Sequence, residues 1–330
     1  MTASKTARSL AVGFACSGVF LFFAARHIHP AAFLETFSKI KVLWIVPFIA
    51  AMCLDLFLRA WRWKLLLPRD STVKIFPLSR LLTIGLALNN VLPLRLGELG
   101  RGYLASRELK VPVLTALSTI LIERVLDSIF ILGLFCAASF WWPASAWLIH
   151  ARRTAGLLAA ALAVFLAAAC GSQALLKKET PLRAWIGRHP RLGKLAEECA
   201  VGAAALKRFS TAAPIFALSA AAWLNVAGMY FWAAKAMALE AWISYPRSIV
   251  LLAVAGASTL LPAVPGYFGT MEFAVSRVLV HLELSADLSL AYAGFQHMTN
   301  YLFITFLGLL FLYQTGSSLG GLWKKLEEQR

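Results

Sequence analysis

The sequence predicts an all-α integral membrane protein: six spanning helices plus two re-entrant broken hairpins, arranged as an inverted repeat. Three observations carry that prediction. Of 330 residues, 60% are hydrophobic, against about 45–50% in a soluble domain, and several uncharged stretches approach or exceed the ~20 residues that cross a bilayer as a helix. Two apolar stretches are interrupted by proline and glycine beside polar residues. Ionised groups also lie inside apolar runs, where each costs about 2.5–3.5 kcal/mol at the centre of a bilayer helix. The stretches are continuously apolar rather than alternating, which favours helices over a barrel.

The chain reads as one polytopic membrane domain, 1–330, with repeat one over about 7–142 and repeat two over about 153–316. The first span, 9–25, has the basic start and apolar run of a signal peptide. Its Ala24-Ala25-Arg26 end is a poor cleavage site, so a retained anchor is expected. The second span, 42–60, ends on Arg59-Ala60-Trp61-Arg62-Trp63-Lys64. Tryptophan belongs at the interface and Arg and Lys snorkel to headgroups, so Arg59 and Arg62 read as membrane anchors first and gating groups second. The first hairpin, 78–108, has an apolar arm of about 15 residues, roughly 22 Å as helix, which is short for a crossing and fits a segment buried in protein. Spans at 113–140, 155–176, 212–238 and 287–315 follow, with a basic connector over 177–210, helical in 192–209, and the second hairpin at 248–284. Gln296, His297 and Asn300 in the last span read as helix–helix packing groups first.

Basic residues set the orientation. With the N-terminus inside, 23 of the 32 Lys and Arg fall on cytoplasmic segments and 8 outside, with Arg124 within a span. Both termini are therefore expected on the cytoplasmic side. The formal charge of +16 then serves topology and anionic headgroups. Nucleic acid is set aside because no binding module accompanies the charge. The five cysteines form no CxxC and read as small buried hydrophobes.

The polar residues cluster at the breaks. In the first, Asn89-Asn90-Val91-Leu92-Pro93-Leu94-Arg95-Leu96-Gly97-Glu98, proline removes a donor and Gly97 permits a turn, freeing backbone groups for a ligand. Arg95 suits a phosphate fork, and Glu98 balances it or carries a proton. In the third span Glu123 and Asp127 share a helical face and Arg124 pairs along the helix, leaving a formal −1 for a cation, a proton or a second arginine. The alternative is a structural ion-pair network. The second break holds Pro262, Pro265, Gly266, Gly269, Thr270 and Glu272. Thr270 is expected to cap the returning helix and Glu272 to suit its dipole. Paired, proline- and glycine-interrupted segments in the two halves point to a transporter site. The sequence holds no HExxH, Walker or GxSxG motif and no clustered His/Cys ligand set, so neither a metal nor a cofactor is expected.

Arg59 to Trp63, Asn90 to Arg101, Glu123-Arg124-Val125-Leu126-Asp127 and Pro265 to Glu272, in that order, resemble the transmembrane region of lysylphosphatidylglycerol synthases, over nearly the whole chain. The resemblance implies a flippase or related lipid-handling protein, with a phospholipid or isoprenoid-type membrane lipid as partner. In the synthases a soluble aminoacyl-transferase domain follows this region. The chain ends at Arg330, so lysyl transfer is not expected. The residues assigned to the headgroup cavity are Asn89, Asn90, Arg95, Glu98, Glu123, Arg124, Asp127, Thr270 and Glu272. Two rivals stand beside this reading. One is a membrane-embedded glycosyltransferase-type enzyme on a lipid carrier, for which the first external loop offers only Glu35. The other is a non-transporting scaffold of a lipid pathway. The reading allows a homo-oligomer.

Overall fold

The computed structural model describes residues 15–24, 29, 35–68, 73–92, 96–142, 146–177 (backbone alone over 172–177), 197–261 and 264–315. Among these residues the regular structure is all helical. The main elements are α1 (Ala15–Ala24), α2 (Ile45–Leu66), α3 (Ile75–Val91), α4 (Gly97–Leu109), α5 (Val113–Ala138), α6 (Ala146–Lys177), α7 (Phe209–Ala236), α8 (Tyr245–Ser258), α9 (Thr270–Val280) and α10 (Ala286–Gln314).

Length separates them into two groups. Four helices are long and apolar enough to cross a membrane: Val42–Leu66, Ala146–Gly171, Phe209–Ala236 and Ala286–Gln314. The protein is therefore a multi-pass membrane protein. The 26 residues of α5 suffice in length, but every 18-residue window of it holds Glu123, Arg124 and Asp127. The helices flanking the two breaks have 17, 13, 14 and 11 residues, each below the ~20 of a straight crossing. Proline explains the stops. The residue before a proline is biased out of helical conformation, and α3 and α8 end just ahead of Pro93 and Pro262.

Two boundaries differ from expectation. α2 runs to Leu66 rather than residue 60, because Arg59 and Arg62 turn into the protein instead of ending the span. α6 starts at Ala146 rather than 155, carrying Arg152 within the helix and over the Phe140 ring at 4.4 Å. Residues 178–196 of the expected connector lie outside the described residues. Its end, a helical turn at 197–202 and a 3-10 turn at Ala204–Lys207, packs on α5. A Cβ on Gly202 would lie 2.6 Å from the Ser118 carbonyl oxygen.

Contacts between distant segments define the assembly. α2 and α7 pack antiparallel: Trp44 stacks on Trp232 at 5.5 Å, Asn225 donates to the Ala51 carbonyl at 2.7 Å, and Arg62 donates to Ser219 at 3.1 Å. α3 and α10 also pack antiparallel. Phe76 meets Phe311 at 6.1 Å, and Asn90 donates to Thr305 at 2.9 Å. Between these points Gly308 approaches so closely that a Cβ would sit 2.3 Å from that of Ala87. α8 lies on α5, with Gly256 against Ile131. The buried apolar side chains form two cores. One gathers Phe48, Met52, Leu56, Phe135, Tyr230 and Tyr292; the other gathers Trp63, Leu66, Leu78, Leu88, Ile122 and Leu126. Along α2 the change from one core to the other falls between Leu56 and Ala60, and Arg59 and Arg62 lie at that seam.

Candidate functional site

The seam holds a charged network built by four helices. α5 supplies Glu123 and Asp127 one turn apart, with Arg124 between them. α2 brings Arg62, whose Nη1 donates to Asp127 Oδ1 at 2.6 Å and whose Nη2 lies 3.1 Å from Glu123 Oε1. α4 brings Arg101, donating to Glu123 Oε2 at 2.9 Å. Arg59 pairs with Asp55 one turn back on α2 at 2.8 Å and reaches Asp127 at 3.5 Å. α7 adds Trp223, whose indole N–H donates to Asp127 Oδ1 at 3.0 Å. The Trp63 ring covers the Arg101 guanidinium at 3.6 Å and donates its own N–H to Thr119 at 3.1 Å.

Charge balance follows from that list. Among the described residues Arg59, Arg62, Arg101 and Arg124 face Asp55, Glu98, Glu123 and Asp127, so the described network is formally neutral. The expected residual −1 on the α5 triplet is therefore replaced by a closed balance. Arg62 and Glu123 are 0% exposed, so neither snorkels to a headgroup nor lines an open cavity, and Asp127 is buried with them. The reason is energetic: a charge deep in a membrane protein is tolerated when paired and hydrogen-bonded. Arg62 and Arg101 fill that role, and Arg95 lies outside the described residues, as do Pro93 and Pro262.

One edge of the network is open. The side chain of Arg124 is 37% exposed and that of Glu98 36%. Arg124 Nη2 contacts Glu123 at 3.1 Å and Asp127 at 3.2 Å. Its Nε is 3.6 Å from Glu98 Oε1 and, though buried, has no hydrogen-bond partner among the described residues. Beside it the first break is pinned by Asn89, which accepts from the Gly97 N–H at 2.8 Å. Gly97 is required there: a Cβ would lie 2.0 Å from the Gly85 carbonyl oxygen. Asn90, expected in the same cavity, donates instead to Thr305 on α10.

The second break is organised by one carboxylate. Gly269, not Thr270, is the N-cap of α9. Thr270 is buried and its hydroxyl donates back to the Tyr267 carbonyl at 3.0 Å. Capping falls to Glu272, whose Oε2 accepts from the Gly269 N–H at 2.7 Å, while its Oε1 lies 2.6 Å from Nδ1 of His297 on α10. Glu272 is thus buried and engaged rather than lining an open space. The tip from Pro265 to Gly269 turns through positive φ at Gly266, Tyr267 and Gly269. α1 closes over it: Ser17 accepts from the Val264 N–H at 3.0 Å, and Phe20 meets Phe273 at 5.3 Å.

Sequence reasoning missed Asp55, Arg101, Ser219 and Trp223. Asp55 was visible as an acid inside an apolar run four residues before Arg59. Arg101 shares a helical face with Gly97, Leu104 and Ala105, all buried, a pattern that separates it from a loop charge. Ser219 and Trp223 carried no such signal.

The family model described as the lysylphosphatidylglycerol synthase TM region matches residues 10–308. The chain belongs to that family. It is a membrane domain associated with lipid handling, and the match takes in the charged network and both breaks. No curated protein and no solved structure matches the chain.

Proposed function

We propose that this family member is a flippase that moves a polar-headgroup lipid, a phospholipid or an isoprenoid-type lipid, between the leaflets of a bacterial cytoplasmic membrane. The observation that carries the reading is Arg124. Arg62 and Arg101 also carry nitrogens without a hydrogen-bond partner among the described residues, but they are enclosed; the Arg124 guanidinium, held from behind by two carboxylates, alone of the three reaches the half-open edge beside Glu98. A headgroup phosphate that displaces Glu98 supplies the missing acceptor and a charge-assisted hydrogen bond. Arg95, in the same break, is assigned a second phosphate contact on the sequence pattern alone. The buried members, Arg62, Arg101, Glu123 and Asp127, hold Arg124 in place rather than meet the lipid. The sequence carries no nucleotide motif, so movement is passive or ion-coupled.

The architecture proposed with it has six crossings and two re-entrant hairpins in inverted halves, with both termini cytoplasmic. Three features support it. α2 and α7, the second spans of the two halves, pack antiparallel, as an axis in the membrane plane requires. The first arm of each hairpin packs on the last helix of the other half, α3 on α10 and α8 on α5. Finally, α10 carries Gln296-His297 and Asn300 at the same spacing as Glu123-Arg124 and Asp127 on α5.

The test uses purified protein in vesicles of phosphatidylethanolamine and phosphatidylglycerol carrying fluorophore-labelled phosphatidylglycerol, with an impermeant quencher to report leaflet exchange. Native protein is expected to accelerate exchange. Arg124→Gln should lower the rate at least about tenfold, the worth of one charge-assisted contact, with the fold retained. Equal rates for native and Arg124→Gln vesicles would remove Arg124 from the pathway and this reading with it.

A further inference from the structure

The second half contains a titratable group where the first has a fixed charge. On α5, arginine stands between two acids. On α10, His297 takes the arginine's place in the spacing, and the flanking acids become their neutral amides, Gln296 and Asn300. Histidine is the side chain that changes charge near neutral pH, whereas arginine does not. We propose that the Glu272–His297 pair is a proton-binding site that couples proton movement to lipid translocation, an inference that rests on the flippase reading above.

The geometry fits a two-state proton site. His297 Nδ1 and Glu272 Oε1 share a hydrogen bond of 2.6 Å, both side chains are buried, and the other carboxylate oxygen caps α9 by accepting from the Gly269 N–H. An incoming proton is held on the pair as imidazolium beside carboxylate and leaves to the opposite face, so no other bond changes. Because the same carboxylate anchors the second break, the charge of the pair acts directly on a tip already turned through three positive-φ residues.

The described surroundings place no further ion pair on the two groups. Among the described residues, Glu272 has no ion pair besides His297. Around it are Phe268, 4.9 Å from the imidazole, Tyr301 at 6.4 Å, Tyr267 of the tip and, from α1, Ser17 and Phe20, while on α7 the buried Tyr230 accepts at its carbonyl from Tyr292 of α10 at 2.8 Å. The charges on neighbouring helices are committed elsewhere. Arg277 lies over Phe273 at 5.6 Å and Asp287 pairs with His29. On α8, Arg247 donates to the Trp242 carbonyl; on α3, Arg80 pairs with Glu108. Lys235 of α7 sits over Trp44, and Asp55, Arg59 and Arg62 of α2 belong to the network at the seam.

Two measurements test this. Histidine-labelled protein in lipid nanodiscs, with His297→Gln to assign the signal, should reveal His297 gaining and losing a proton as the buffer pH is varied, and Glu272→Gln should alter that response. In the vesicle assay above, an imposed pH gradient should speed native exchange several-fold and acidify or alkalinise a trapped pH dye in step. Whatever rate remains in His297→Arg, which copies the first half, and in Glu272→Gln should not rise when the gradient is imposed. An imidazole that does not titrate, or native exchange indifferent to the gradient, overturns the proton site while leaving the flippase reading standing. Native protein that moves no labelled lipid under any gradient defeats the flippase reading, and with it the coupling inference.

Discussion

α5 and α10 place three polar side chains at one spacing and use them in opposite ways. On α5 the three are Glu123, Arg124 and Asp127, tied by arginines from α2 and α4 into a neutral, mostly enclosed network. On α10 they are Gln296, His297 and Asn300, and the single ionised contact, to Glu272, belongs to the tip of the second break. One break therefore stands beside permanent charges that hold each other still, and the other hangs on a histidine–carboxylate pair, where the proton site is proposed. The difference teaches a division of labour: rigidity on the side of Arg124 and adjustability on the side of His297.

The comparison is broken most severely at Arg62. Removing it strands Glu123 and Asp127 beside one fewer cation in a fully buried place. Arg62→Ala is therefore expected to cost about 3–5 kcal/mol, read as a collapse of the thermal unfolding midpoint in detergent. Gln296→Ala at the corresponding layer of α10 should cost about 1 kcal/mol, one neutral hydrogen bond. Similar losses for the two would mean that the network is not the rigid element.

Next in size is the reverse exchange. Gln296→Glu puts a carboxylate on α10 without partners equivalent to Arg62 and Arg101. A cost of about 2.5–3.5 kcal/mol is expected from the price of an uncompensated membrane charge, measured by the same unfolding assay.

A third prediction compares the contacts that join the halves. Gly308→Ala drives a methyl to 2.6 Å from the Thr83 carbonyl oxygen, which cannot move aside, while Gly256→Ala meets only the terminal carbon of Ile131 at 3.0 Å. The first should lose about 1–3 kcal/mol as overpacking; the second should stay well below that.

The sequence made the breaks legible because proline and glycine act locally: α3 stops at Val91 and α8 at Ser258, close to where Pro93 and Pro262 dictate. It made the α5 triplet legible because charges in an apolar run need partners. It could not say which partners. Arg62 and Arg101 reach Glu123 only through the packing of α2 and α4 on α5, a long-range fact that no local pattern encodes, and a terminal Arg-Ala-Trp-Arg-Trp has the same composition whether it faces lipid or core. Glu272 was legible as a dipole partner but not as a pair, since His297 lies a helix away. The shared spacing of Glu123-Arg124-Asp127 and Gln296-His297-Asn300 was present in the sequence throughout. It was masked because amides and imidazole carry none of the formal charge that drew attention to α5.

The smallest effect concerns Asn90, and it separates packing from transport. Its amide donates to Thr305 at 2.9 Å, joining the first break to the last helix. Such interhelical bonds are worth about 0.6 kcal/mol on average, so Asn90→Ala and Thr305→Val should each destabilise by roughly that amount, and the double variant by no more than either alone. If the bond is structural only, leaflet exchange should be unchanged in all three. If Asn90 leaves Thr305 to meet the headgroup during the cycle, Asn90→Ala should slow exchange while Thr305→Val, which frees the amide, should not. The stability cycle and the exchange rates then diverge, and Asn90 joins Arg124 on the open edge of the rigid half.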